Sequence, residues 1–160
     1  MKYIYIIFLY NIIFISCSIK SDKNELHNWI GTKLYVPEIF DKFKDNKIIV
    51  RFLGDCASCL ETIPKWKVIN DKLRDNNDSI ALIFYVEVFD NEDFKVLEER
   101  LNFADQVIFD PKGSFYSKNL LKFSGDLQYH TFLVDKENKI ILFGNPSIDN
   151  KILKKYFIKI

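Results

Sequence analysis

The sequence lacks an excess of charge of either sign. Its 23 Lys and Arg side chains are matched by 22 Asp and Glu side chains, which leaves a formal net charge of +1 at pH 7. A protein that binds nucleic acid through its phosphates needs a basic surface, and no basic stripe is present here. There is also no glycine-rich phosphate loop and no Ser-His-Asp order. The composition therefore gives no support to nucleic-acid binding, nucleotide binding or serine-hydrolase chemistry.

Cysteine is scarce as well, with Cys17, Cys56 and Cys59 as the three examples. An odd number argues against a scaffold in which every cysteine is paired. A four-cysteine zinc site would need a second pair, which the chain does not contain. Apolar residues, in contrast, make up 48% of the 160 residues, enough for the packed core of one domain.

Residues 1–16 are predicted to be a signal peptide. Lys2 provides a positive start, and residues 3–15 are apolar or aromatic apart from Asn11. A helix that spans a bilayer needs about 20 apolar residues, so this run is short for a transmembrane span.

The end of this run, Phe14-Ile15-Ser16-Cys17, resembles a lipobox, the signal before the lipidated cysteine of bacterial lipoproteins. Ser16 has the small size that this signal needs, whereas Phe14 and Ile15 are bulkier than usual. The resemblance implies lipidation of Cys17. An uncleaved apolar anchor and an ordinary secretory signal are the alternatives. Residues 17–31 are polar and predicted to be a tether, and residues 32–160 are predicted to form the domain.

Hydrophobic periodicity predicts alternating strands and helices. Residues 48–53 and 80–88 are apolar and rich in β-branched side chains, as in strands buried on both faces. Apolar residues recur every three or four positions over 56–74, which predicts one helix there. Further strands are predicted at 33–39, 106–109, 131–134 and 139–143, and further helices at 90–102, 114–121 and 148–158. This order predicts an α/β fold whose mixed central sheet has helices on both faces.

Cys56 and Cys59 follow the predicted strand 48–53 and open the predicted helix. Unpaired N–H groups and the positive end of the helix dipole favour a thiolate at such a position, so the pKa of Cys56 should fall. Cys59 lies one helical turn away, within reach of a disulfide. We therefore expect Cys56 to attack and Cys59 to resolve, with Asp55 as a helix cap. Two buried and unreactive cysteines are the alternative.

On these residues the chain resembles the thioredoxin-like superfamily, in particular its exported, membrane-tethered thiol-disulfide oxidoreductases, over residues 47–158. The family places a cis-proline directly before the Thr of its late strand, and His130 stands there in this chain. A cis bond before a non-proline residue costs about 2.5–4 kcal/mol, so a trans bond is expected. The matching positions are Val50-Arg51-Phe52, Cys56, Cys59, Pro64, residues 131–135 and Gly144-Asn145-Pro146.

The resemblance also implies that His130 faces the two cysteines. It would lower the pKa of Cys56 when protonated, or shuttle a proton. It would alternatively complete a Cys-Cys-His site for copper(I) or zinc, or simply face solvent or bond to the backbone. Glu61, Lys65 and Glu87 are plausible proton carriers near the pair, but we expect them to be surface charges.

These observations predict an exported thiol-disulfide oxidoreductase with Cys56, Cys59 and His130 as catalytic residues and no organic cofactor. Its expected partners are exported proteins that carry a disulfide or a dithiol, together with a membrane electron donor if it works as a reductase. Its expected location is the envelope of a Gram-negative bacterium, where the lipid on Cys17 holds it facing the periplasm or the cell surface. A metal-handling protein and a non-catalytic binding module are the alternative functions.

Overall fold

The computed structural model describes residues 29–37, 46–76, 80–119 and 126–159. The predicted signal peptide, Cys17 and most of the predicted tether lie outside these ranges, so the lipid anchor stays a prediction. Within the described ranges, no helix combines the length and the apolar character that a membrane span requires.

Two apolar strands form the centre of the sheet. β1 (Lys47–Leu53) and β2 (Ala81–Glu87) pair in parallel, with Leu53 opposite Glu87 at their carboxyl ends. Both strands are buried along most of their length, as their uninterrupted apolar sequences predict. The carboxyl ends of β1 and β2 therefore lie side by side at one edge of the sheet.

Three shorter strands complete the sheet in the order β3-β2-β1-β4-β5. β3 (Gln106–Phe109) is parallel to β2, whereas β4 (Thr131–Val134) is antiparallel to β1 and to β5 (Ile140–Phe143). The predicted mixed sheet is thus confirmed. Because β4 runs against β1, the residue that precedes β4 lies at the same sheet edge as the residues that follow β1.

Within the described residues, five α-helices connect and cover the strands. They are α1 (Ala57–Leu60), α2 (Ile63–Asn76), α3 (Asn91–Arg100), α4 (Ser114–Asn119) and α5 (Asn150–Lys159). α3 lies between β2 and β3, α4 lies between β3 and β4, and α5 follows β5. A 3₁₀ turn at Leu127–Tyr129 leads into β4.

The single helix predicted over 56–74 is wrong, because the structure divides it into α1 and α2. Pro64 has no N–H group to donate to the carbonyl of Leu60, so the helical ladder is interrupted there. Thr62 closes the gap, since its N and its Oγ1 both donate to the carbonyl of Cys59, at 2.9 and 2.6 Å. Cys59 is therefore held in a short separate turn of helix.

The edge strand predicted over 33–39 is also wrong over its described part. An isolated bridge joins Lys33 to Lys139, but no regular strand follows. The side chain of Asn119 takes the backbone of Tyr35 instead: its Oδ1 accepts from the N–H of Tyr35 at 2.6 Å, and its Nδ2 donates to the carbonyl at 2.9 Å. These two bonds fix the segment against α4.

The core has one apolar cluster on each face of the sheet. One face packs Trp66 of α2 and Tyr156 of α5 against β1 and β2, with Phe84 at its centre. The other face packs Trp29 and Phe115 against the sheet. The dithiol helix α1 thus follows a strand that is anchored on both faces.

Candidate active site

Gly54 brings the chain out of the sheet. Its N–H group still donates to the carbonyl of Glu87 at 2.8 Å, so the chain runs close beside the end of β2. A Cβ atom at this position would stand 2.6 Å from Cδ1 of Leu97 and 3.0 Å from Cβ of Val88. No side chain fits there, and glycine is therefore needed directly before the cysteine turn.

Cys56 is the N-cap residue of α1, with extended backbone angles (φ −95°, ψ 110°). Its carbonyl accepts from the N–H of Leu60 at 3.0 Å, which starts the helix. The expectation that Asp55 caps the helix is wrong, because α1 has no side-chain cap and Asp55 is exposed. The backbone alone sets the position of Cys56.

The side chains of Cys56 and Cys59 interact at the start of α1. The Cys59 thiol interacts with the Cys56 sulfur, and the hydroxyl of Ser58 lies 3.1 Å from the same sulfur. These side-chain bonds, followed by the N–H groups of Cys59 and Ser58, hold the pKa of Cys56 below its ordinary value. The predicted direction therefore agrees with the structure, but the main cause is the neighbouring thiol, because a four-residue helix has little dipole.

The thiol of Cys59 behaves in the opposite way. Burial, the hydrogen bond to Cys56 and the negative charge on the Cys56 thiolate together raise the pKa of Cys59 to about 12. Arg51 acts against this rise as a nearby positive charge. Of the two thiols, Cys56 is therefore the more readily ionised and Cys59 the one that keeps its proton, which is the division of roles expected for attacker and resolver.

An ion pair lies below the dithiol. Arg51 of β1 binds Glu87 of β2 through two bonds, from Nε to Oε1 at 2.5 Å and from Nη2 to Oε2 at 2.7 Å. The two side chains are only 12% and 16% exposed. The guanidinium group also stacks on the ring of Tyr116, 4.2 Å from its centroid. Glu87 is thus not the surface charge that we expected, although Glu61 and Lys65 are exposed.

His130 completes this cluster from the start of β4. It is fully buried, its Nδ1 lies 3.0 Å from Nη1 of Arg51, and its carbonyl accepts from the N–H of Arg51 at 3.0 Å. The peptide bonds of the described residues, including the one before His130, are trans as expected. The alternative in which His130 faces solvent is wrong.

The charge of His130 follows from its partner. A guanidinium group only donates hydrogen bonds, so Nδ1 must be the acceptor and its ring proton must lie on Nε2. This arrangement requires a neutral imidazole. The predicted effect of a protonated His130 on Cys56 therefore has no support in this geometry, whereas a proton-shuttle role through Nε2 stays a prediction.

The dithiol stands between two clefts. A cleft of 570 Å³ opens beside Cys56 and has Arg51 and Glu87 among its lining residues. A smaller cleft of 150 Å³ lies beside Cys59 and is lined by Gln128 and Asn145, among others. Each sulfur atom is therefore partly exposed at the edge of its own cleft.

No metal site supports the alternative function. Among the described residues, which include both Cys56 and Cys59 as well as His130, no three His, Cys, Asp or Glu side chains are placed to hold an ion together. The structure brings the two cysteines to each other and brings His130 to Arg51.

The sequence matches no family model and no curated protein, but solved structures resemble the fold. A thiol:disulfide interchange protein from Bacteroides sp. is 20% identical, covers 74% of this chain and 75% of its own, and gives a TM-score of 0.54. The thioredoxin domain of a thiol-disulfide oxidoreductase from Bacteroides vulgatus is 19% identical over 72% and 82%, with a TM-score of 0.52. A thiol-disulfide oxidoreductase from Bacteroides fragilis is 15% identical over 71% and 82%, also at 0.52.

These likenesses agree with the sheet order and with a helix that follows β1. The chain has a thioredoxin-like fold. The predicted fold class is thereby confirmed, and at these identities the likeness concerns the fold alone. Within the thioredoxin-like fold, this chain places a buried Arg-Glu-His cluster below its Cys-x-x-Cys pair.

Sequence reasoning missed the role of Arg51. It is the one charged residue between Ile48 and Leu53, and Glu87 is the one charged residue between Ile80 and Val88. A single charged side chain in a strand that is buried on both faces needs a partner of opposite charge. This rule predicts that Arg51 and Glu87 form an ion pair. The two isolated charges are visible in the sequence, but the register of β1 and β2 that places Arg51 beside Glu87 is visible only in the structure.

The Cys59 thiol can be tested as the cause of the lowered pKa at Cys56. In the full chain carrying Cys17→Ser, we expect Cys59→Ala to raise the pKa of Cys56, because the charged sulfur loses its interaction with the Cys59 thiol. Less thiolate then exists at neutral pH, so alkylation by iodoacetamide slows there and recovers at high pH. Cys59→Ser is the matched control, since its hydroxyl still donates. Equal midpoints in the two variants would contradict this cause.

The ion pair can be tested by a double-mutant cycle. We expect Arg51→Met to lower the free energy of unfolding by about 3 kcal/mol, because it leaves Glu87 buried without its partner. Adding Glu87→Gln should return part of that loss, with a coupling of about 1–3 kcal/mol in urea unfolding. Strictly additive losses would show that the two side chains do not stabilise each other.

Proposed function

We propose that this protein is an exported thiol-disulfide oxidoreductase that acts on other exported proteins. The observation that carries the proposal is the placement of Cys56 and Cys59 on one short turn of helix after β1, both partly exposed, with the pKa of Cys56 lowered and that of Cys59 raised to about 12. The structures with a similar fold from Bacteroides that are described as thiol:disulfide interchange proteins and thiol-disulfide oxidoreductases support it.

The chemistry starts when the Cys56 thiolate attacks one sulfur of a substrate disulfide. A bond forms between Cys56 and that sulfur, the substrate S–S bond breaks, and its electron pair leaves with the other sulfur, which takes a proton from water. Cys59 then gives its proton to water, and its thiolate attacks the Cys56 sulfur. The Cys56–Cys59 bond forms, the bond between Cys56 and the substrate sulfur breaks, and that sulfur leaves with the electron pair and takes a proton from water. Two electrons have then passed to the substrate.

The change in charge at Cys56 assists the second step. The Cys56 thiolate raises the pKa of Cys59 both through its hydrogen bond and through its negative charge. Both effects disappear once Cys56 is bound to the substrate sulfur, whereas the nearby cation of Arg51 remains. Cys59 therefore becomes easier to deprotonate at the point where it must attack.

His130 serves in this scheme as a positioning residue that acts through Arg51. Its Nδ1 holds one end of the guanidinium group while Glu87 holds the other, so the cation stays fixed below the sulfurs. The lipid on Cys17 keeps the domain at the cell envelope, where exported proteins form disulfides. For work as a reductase, a dithiol protein of the membrane returns two electrons to the Cys56–Cys59 disulfide.

Trapping in cells tests the function. In a Gram-negative host that makes the full chain, we expect Cys59→Ser to accumulate mixed disulfides between Cys56 and exported proteins, because the resolving thiol is missing. Reducing and non-reducing gels followed by mass spectrometry identify the adducts. The double variant Cys56→Ser with Cys59→Ser is the control, since it keeps Cys17 and should give none. Absence of adducts in the Cys59→Ser variant would contradict the proposed function and would favour a non-catalytic binding module.

A further inference from the structure

The larger cleft has apolar walls and a sulfur at its rim. Its apolar lining consists of Leu53, Val88, Phe89, Pro111 and Tyr116, and we call it the Phe89 groove. Cys56 lies at its edge and the Arg51–Glu87 pair forms its floor. Its volume of 570 Å³ is within the range of about 300–1,000 Å³ that ligand sites occupy.

Phe89 lies between the end of β2 and the start of α3, and its side chain faces solvent. Its side chain is 90% exposed, whereas the preceding Val88 is buried. The following Asp90 caps α3, because its Oδ1 accepts from the N–H of Glu92 at 2.6 Å. The backbone of Phe89 is thus fixed at both ends. A large aromatic side chain presented in this way beside a reactive thiol is a contact surface for a partner.

The opposite wall is fixed as well. The carboxylate of Asp110 accepts from the N–H groups of Ser114 and Phe115, at 2.7 and 2.8 Å, and so ties Pro111 and its neighbours to the start of α4. Both walls of the groove are therefore set before a partner arrives, which lowers the entropy lost on binding.

The charges of the groove favour an uncharged occupant. Arg51 and Glu87 neutralise each other through two hydrogen bonds, so the floor carries no net charge. At the rim, Lys112 and Asp55 also have opposite signs. A charged side chain placed over the ion-paired floor would lose its hydration without gaining a partner there, whereas an apolar one would gain contact with Phe89.

We infer that the Phe89 groove binds an apolar, uncharged segment of the substrate polypeptide next to the cysteine that Cys56 attacks, with Phe89 as the specificity-determining residue. The inference rests on the proposed function. The attacked sulfur must come within bonding distance of Cys56, about 2.0 Å in the product, and this requirement places the adjoining residues over the groove. Each residue of an extended segment spans about 3.3–3.6 Å, so the nearest few neighbours meet Phe89.

Paired peptide disulfides test the inference with the reduced full chain. Two synthetic peptides carry one disulfide each, one with Leu and Phe beside its cysteines and one with Asp and Glu, and oxidised glutathione serves as the small reference. The measured quantity is the rate constant of reduction of each peptide divided by that of glutathione. We expect a higher ratio for the apolar peptide, and a fall of about tenfold in that ratio for Phe89→Ala, the change that 1.4 kcal/mol of binding energy gives.

Two further variants complete the test. Phe89→Leu keeps an apolar side chain and should retain most of the ratio, while Ile158→Ala removes a side chain that is 81% exposed on α5 and should leave the ratio unchanged. Equal ratios for Phe89→Ala and Ile158→Ala would overturn the inference, and so would an equal preference of the unaltered chain for both peptides. In either case reduction of glutathione would leave the proposed function standing. Failure of the unaltered chain to reduce any of the three would remove the proposed function and the inference together.

Discussion

The coupling between the Cys56 and Cys59 thiols is the interaction on which the proposed chemistry depends. Two identical side chains, three residues apart, acquire opposite acid-base behaviour through it. The pKa of Cys56 falls because Cys59 donates to its sulfur, and the pKa of Cys59 rises to about 12 because it is buried and gives its proton to that bond. The difference provides both a nucleophile and a second thiol that stays protonated until it is needed.

The surrounding structure serves to hold those sulfurs in place. Gly54 lets the chain pass within contact of Val88 and Leu97 as it leaves β1. Pro64 ends the first turn of helix, so Cys59 sits in a unit of its own that Thr62 closes. The guanidinium of Arg51, bound by Glu87 and stacked on Tyr116, provides a fixed positive charge near the buried thiol.

Features that depend on neighbouring residues in the chain were accessible to prediction. The apolar runs gave the two central strands, and the position of Cys56 between a strand and a helix gave the direction of its pKa shift. What prediction missed depends on residues far apart in sequence. Asn119 prevents a regular edge strand at Tyr35 through bonds across 84 positions, and the partner of Arg51 is set by the register of β1 and β2. The neutral state of His130 likewise follows from its contact with Arg51, 79 positions away.

Balanced composition agrees with a proposed substrate that is recognised by local surfaces. A net charge of +1 gives the chain little overall charge to attract a partner, so the proposed recognition rests on contact. The Phe89 groove offers apolar contact beside Cys56, and its ion-paired floor adds no net charge to it.

A redox titration of the purified chain carrying Cys17→Ser, in buffers of reduced and oxidised glutathione, tests the central claim most directly. Cys56 and Cys59 stand on one short turn of helix and their thiols interact, so we expect one reversible two-electron transition, with a Cys56–Cys59 disulfide as the product in peptide mass maps. Stable glutathione adducts on the two separate cysteines, with no disulfide between them, would contradict the claim that the two thiols work as a pair.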